Sequence, residues 1–331
     1  MLAVAIWHWV IFAVLVAVLL ALDLFVFHRH DRVPSLRESA GWTVFWCCLA
    51  AAFNGLVAWW GGAEAGLTFL TGYLIEWSLS MDNVFVFAVI FTFFQVPLQY
   101  QYRVLFWGIL GAIVLRLAFV LAGVQLIHHF AWVLSLFGLL LFYTGVKLAI
   151  HADSEVEPER NVVLRFARRL LRVASADHRQ HGGAFFVREN GRFCITPLFL
   201  VLLVVESTDL LFAVDSVPAI LGITTDSFIV FTSNVFAILG LRALYFLLAG
   251  VMQMFRYLHY GLAGVLSFIG LNMVGDYVAA NFFAQPAGTH VIPTWAKLLV
   301  IALLLAISIL ASLVAKRPED DRGDDSRPAD R

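Results

Sequence analysis

The sequence predicts an all-α polytopic membrane protein, and three observations carry that prediction. Of its 331 residues, 61% are hydrophobic and 14% charged, where a soluble domain carries roughly 25% charged residues. Mean hydropathy is +0.87. The apolar residues also fall into about nine runs of bilayer length, ~20 residues being enough to span the hydrocarbon core as a helix. The net charge of −1 carries no information about partners, and no nucleic-acid partner is expected. Cys47, Cys48 and Cys194 make neither a disulfide framework nor a metal-ligand spacing.

Taken in order, the runs cover residues 3–27, 41–60, 67–95, 104–124, 130–150, 195–217, 227–250, 260–282 and 294–315. The first is too long for a cleaved leader, has no basic residues before it, and carries Asp23. Basic residues alternate with the spans. Arg29, Arg32 and Arg37 follow the first, Arg103 the third and Arg256 the seventh, while arginines crowd 151–193 and the chain's end. The intervening loops 61–66, 125–129, 218–226 and 283–293 carry no Lys or Arg. That asymmetry predicts an inner or plasma membrane protein with its N-terminus outside and its C-terminus in the cytoplasm.

Residues 1–315 thus read as a single transmembrane domain. The 151–193 loop is its one sizeable cytoplasmic piece, and the charged tail 316–331 reads as disordered. Arg165, Arg168, Arg169 and Arg172 recur at helical spacing opposite Val163, Ala167, Leu170 and Leu171, which predicts a basic amphipathic helix on the inner leaflet. Asn190-Gly191 between two apolar runs predicts a hairpin.

Spans three to five (67–150) resemble spans six to eight (195–282). Asp82-Asn83-Val84 matches Asp215-Ser216-Val217. Gly111 and Arg116 match Gly240 and Arg242, and Gly145-Val146-Lys147 matches Gly270-Leu271-Asn272. The two sets would cross the membrane in opposite senses. Inverted repeats of this kind are a secondary-transporter architecture with the site at midplane.

The chemistry lies in acids placed within apolar runs, where an ionisable residue is costly and by default functional. Glu76, Ser80 and Asn83 fall on one helical face, with Asp82 about 100° from Asn83. Asp209 and Ser216 repeat the spacing of Glu76 and Asn83, and Glu206 lies one turn before Asp209. Pro218 cannot donate to the carbonyl of Val214, so the helix should loosen beside Asp215. With Asp23, six acids stand in spans against three bases, Arg116, Arg242 and Lys147. Ion pairing can satisfy some acids, and the excess calls for protons or a bound cation. Oxygen donors without His or Cys suit Mg²⁺, Ca²⁺ or Mn²⁺ over Zn²⁺ or Cu⁺. Asp226 and Asp276 read as interfacial. No nucleophile–base set, phosphate loop or metalloprotease motif marks an enzyme.

At these residues the sequence resembles the TerC family of integral membrane proteins. The matching motifs are Glu76 with Ser80-Met81-Asp82-Asn83-Val84-Phe85, Thr196-Pro197-Leu198 leading to Glu206, Asp209 through Ala219, and Leu22-Asp23-Leu24. The resemblance covers about residues 15–285. It implies a family tied to tellurite resistance by name and to Mn²⁺ export by several members. It also implies roles in the site for Glu76, Asp82, Asp209 and Asp215, with Asn83 and Ser216 alongside. One departure is Asn272, where family members commonly carry Lys.

The expected function is export of a hard divalent cation, Mn²⁺ first with Ca²⁺ or Mg²⁺ as alternatives, by alternating access. Asp82, Asn83, Asp215 and Ser216 would form the core site. Glu76, Glu206 and Asp209 would complete it or carry a countertransported proton. Arg116, Arg242 and Lys147 would compensate charge, and Asp23 could lie on the pathway. The partners are the bilayer and the cation, with no permanently bound cofactor. A rival reading is a non-transporting membrane scaffold or stress-complex component, which should tolerate neutral residues at Asp82 and Asp215.

Overall fold

The computed structural model describes residues 4–25, 35–150, 161–174, 183–189, 191–249, 257–282 and 291–314. The predicted tail 316–331, Asn190 and much of the 151–193 loop lie outside them. The helices in order are α1 (Ile6–Phe25), α2 (Leu36–Gly61), α3 (Ala63–Phe93), α4 (Leu98–His129), α5 (Val133–Ile150), α6 (Val162–Leu170), α7 (Pro197–Leu221), α8 (Ser227–Leu239), α9 (Leu241–Ala249), α10 (Leu258–Phe282) and α11 (Thr294–Val314). Eight are long and apolar enough to cross a membrane by themselves. The seventh predicted span is a bent pair, α8 and α9, with a 40° bend at Gly240.

Local chemistry explains where the helices start. Ser35 caps α2 in a box with Glu38, each satisfying a backbone amide of the other. The Thr196 hydroxyl accepts from the Phe199 amide, and Pro197 occupies the first turn of α7, where its missing N–H costs nothing. The Asp226 carboxylate accepts from the Phe228 and Ile229 amides to start α8. Gly62, at φ 86°, turns the chain from α2 into α3, a left-handed conformation that suits glycine. Pro218 does not break α7, which continues three residues to Leu221. The loosening expected beside Asp215 is therefore not a break in the helix.

α8 is the innermost helix, with every residue from Phe228 to Leu239 buried, as an all-round apolar helix requires. α3 packs on α8, α4 on α7, and α5 on α10. The last pair comes very close, because a Cβ on Gly138 would stand 2.8 Å from the Gly270 carbonyl oxygen. Small residues that let backbones approach are a common seam between membrane helices. Outward, Leu211, Leu299 and Ile307 leave apolar side chains for lipid.

At the predicted cytoplasmic end, α6 buries Leu164 and Ala167 against α7 and exposes Phe166 and Leu170. Asn161 caps α6 and donates to the Ser207 hydroxyl at 2.8 Å, which ties α6 to the middle of α7. Strands β1 (Phe186–Glu189) and β2 (Arg192–Ile195) pair antiparallel beside it.

Candidate functional site

The centre of the bundle is a guanidinium. Arg116, on α4, is 1% exposed and reaches four side chains on three other helices. Nη1 donates to Glu76 Oε1 on α3, to Asn234 Oδ1 on α8 at 3.1 Å and to Ser216 Oγ on α7 at 3.3 Å. Nη2 donates to Asp209 Oδ1 on α7 at 3.3 Å. Asn234 closes the ring by donating Nδ2 to Glu76 Oε2 at 3.0 Å. One cation therefore holds two carboxylates, in keeping with arginine's fork of five donors.

The α3 face read from the sequence is present, with Glu76, Ser80 and Asn83 all buried. Asp82 lies off that face, is partly exposed, and has no hydrogen-bond or ion-pair partner among the described residues. Asp215 accepts from Thr144 Oγ1 at 3.2 Å and lies within electrostatic reach of Lys147, both on α5. Glu206 stands beside Asp209 against α4.

The convergence is thus Glu76 with Asp209, whereas the expected meeting was Asp82 with Asp215. The start of α3 and the end of α7 line the same cavity, so the two helices run antiparallel. Ser216, the neighbour of Asp215 on α7, bonds to the same Arg116 nitrogen as Glu76. Neither Asp82 nor Asp215 bonds to Arg116, and Asp215 turns to α5 instead. Among the described residues no group of three His, Cys, Asp or Glu side chains is arranged to hold a metal ion.

The shared cavity measures about 410 Å³. Glu64, Asp226, Thr68, Thr224 and Thr225 are among its lining residues, and none of the described lining residues is Lys or Arg. Its Thr68 wall lies two turns of α3, about 12 Å, from Glu76.

With this geometry in view, comparison with known proteins places the chain. A family profile described as the integral membrane protein TerC family matches residues 61–320. The chain belongs to the TerC family. Its relatives include an uncharacterized membrane protein of Myxococcus xanthus, 47% identical over 310 residues that cover 93% of this chain and 92% of that one. Proteins named "Putative membrane-bound redox modulator Alx" in Salmonella typhi and Escherichia coli K12 are each 48% identical. They cover 80% of this chain and 84% and 85% of their own lengths. No solved structure matches.

Two further features of this TerC chain correct the sequence reading. Lys297 is a fourth base within a span, 1% exposed, and pairs with Asp276 at 3.5 Å. Asp276 is thus a partner between α10 and α11 as well as an interfacial acid. Asp23 pairs with Arg242 and ties α1 to α9. That guanidinium also stacks over the Tyr102 ring, 4.5 Å from its centroid. Asp23 and Arg242 hold each other apart from the Arg116 clamp. Asn272 is buried with both amide atoms unpartnered.

Sequence reasoning missed Asn234 and Thr144. The available signal for Asn234 was the one amide in the run Phe228–Leu239, beside the hydroxyls of Thr232 and Ser233. Thr144 had none, since a hydroxyl that could bond its own helix is common in membrane helices.

Proposed function

We propose that this TerC protein is a secondary transporter that exports a hard divalent cation, with Mn²⁺ as the first candidate, by alternating access. The observation that carries this reading is the excess of acid around Arg116. Glu76 and Asp209 share one guanidinium, and Glu206 stands beside Asp209 without a base of its own. Ionised carboxylates in an apolar bundle call for a cation or protons to balance them. Oxygen ligands favour a hard ion. The cavity about 12 Å from Glu76, with no Lys or Arg among its described lining residues, supports passage of a cation to the predicted outer face.

Alternation would come from the two halves exchanging access around the clamp. Packing supports equivalent halves. Gly72 of α3 lies on Ser233 of α8, as Val205 of α7 lies on Gly108 of α4. Glu206 or an acid beside it would carry a countertransported proton. The test is cellular manganese content under Mn²⁺ load at matched membrane levels. Wild type should lower it, and Glu76→Gln should not. Equal manganese with and without the wild-type protein would refute the proposal.

A further inference from the structure

The apolar side of α6 is wider than α7 can cover. Asn161 bonds to Ser207, ten residues into α7. At the other end the Ile195 amide donates to the Arg172 carbonyl, and the Ala174 amide donates to the Ile195 carbonyl. α6 therefore lies antiparallel along the first ~15 Å of α7. Leu164 and Ala167 turn inward and are buried. Val163, Phe166 and Leu170, at i, i+3 and i+7, form a second apolar stripe that stays exposed, Phe166 by 64% and Leu170 by 69%.

The position of that stripe says what covers it. Ser207 shares a helical face with Leu211 and Val214, one and two turns on. Both are exposed on a helix long and apolar enough to cross the membrane, so this side of α7 faces lipid. α6 covers the Thr196 end of the same side, and its free stripe continues the lipid-facing surface. The hairpin extends it. Phe186 and Phe193 are exposed with rings 6.1 Å apart, and Phe186 also packs on Phe199 of α7 at 4.8 Å. Arg188 pairs with Phe193 across the ladder and so stands on the same face.

Charge adds a preference to this apolar surface. Arg165, Arg168 and Arg169 lie on the side of α6 opposite the free stripe, with Arg172 just past the helix end. Arg188 and Arg192 bring the described residues of 161–195 to six arginines against one acid, Glu189. Arginine stems can lie along acyl chains while the charged heads reach the phosphate layer. There a guanidinium pairs with phosphate through parallel hydrogen bonds.

We propose that α6 and the β1–β2 hairpin form a docking surface for the anionic phospholipids of the predicted inner leaflet. Val163, Phe166, Leu170, Phe186 and Phe193 enter the acyl layer, and the arginines hold headgroup phosphates. Asn161, Leu164 and Ala167 fix α6 to α7, so the lipid is held on the transmembrane domain itself. The proposal is independent of the transport reading above.

The test is native mass spectrometry of the full-length protein in detergent, offered equal amounts of phosphatidylglycerol and phosphatidylcholine. Wild type should retain phosphatidylglycerol in preference. Arg168→Gln/Arg169→Gln/Arg172→Gln should reduce that preference by about fivefold or more, since one arginine near an anionic surface is worth about that factor. Phe166→Ser/Leu170→Ser should retain less of both lipids. Arg37→Gln, exposed at the start of α2, should bind as wild type does. All these side chains are exposed, so the variants should keep the wild-type melting temperature. Equal retention of the two lipids by wild type would overturn the proposal and leave the basic face to an acidic protein partner. Unchanged retention in either multiple variant would also overturn it, as would full displacement of the lipid by free glycerol phosphate, the mark of a soluble-phosphate site.

Discussion

Arg116 and Glu76 form an ion pair between α4 and α3 with side chains 1% and 0% exposed. Water cannot replace either partner, so the pair and its neighbours Asp209 and Asn234 decide how α3, α4, α7 and α8 meet.

Removing the base should therefore cost more than removing one acid. Arg116→Gln leaves Glu76 and Asp209 buried together without a cation, a loss on the order of 3–5 kcal/mol. Glu76→Gln leaves Arg116 with Asp209 and should cost less. The double variant Arg116→Gln/Glu76→Gln should be milder than the sum of the singles by about 0.5–3 kcal/mol. Thermal melts of the four proteins in detergent check this. Additive losses would mean that the two groups do not act as a unit.

Asp82 and Asp215 stay outside the Arg116 hydrogen bonds, which changes what double substitutions should do. Glu76→Gln and Asp209→Asn act on one clamp, so their double variant should transport no worse than the weaker single. Asp82→Asn and Asp215→Asn share no bonding partner, and their losses should multiply. Initial rates of Mn²⁺ flux for these six variants distinguish the cases. Saturation between Asp82 and Asp215 would place both in one shell after all.

The α5–α10 seam should resist any added methyl group. Gly138→Ala would press its Cβ to 2.8 Å from the Gly270 carbonyl oxygen and 2.9 Å from Met273 Cβ. Overpacking of this kind costs about 1–3 kcal/mol. Gly55→Ala on α2 meets nothing within 4 Å and should be neutral, or stabilising by up to ~1 kcal/mol through helix propensity. The two melting temperatures test this directly, and an unchanged Gly138→Ala would show that the seam can open.

Orientation follows from the basic residues and can be read by labelling. In a background with Cys47, Cys48 and Cys194 replaced by Ser, a cysteine at Glu64 should react with an impermeant maleimide added outside whole cells. A cysteine at Arg169 should react only after the cells are opened. The reverse pattern would invert the topology and the direction of transport with it.

Much of the fold was legible in the sequence. Apolar runs of bilayer length are long, unambiguous signals, and the buried face of Glu76, Ser80 and Asn83 followed from helical spacing alone. The bend at Gly240 was not, since a turn with helical backbone angles leaves no residue signature. Pairing was the harder matter. Motif likeness suggested that Asp82 and Asp215 meet, but matched residues on antiparallel helices converge only near the crossing point. Arg116 draws Glu76 and Asp209 together instead, while Asp215 turns to Thr144 on α5. Asn234 escaped notice as one more small polar residue after Thr232 and Ser233, and Lys297 as a single base near the start of an apolar run; their partners come from helices remote in sequence.

The central claim is that the acids around Arg116 carry a divalent cation across the membrane. It is tested most directly by the initial rate of Mn²⁺ flux into proteoliposomes, with wild type and Asp209→Asn reconstituted at equal density. The account predicts saturable flux for wild type, little competition from Zn²⁺, and background flux for Asp209→Asn. Flux in Asp209→Asn equal to that of wild type, or a wild type no faster than empty liposomes, would contradict it.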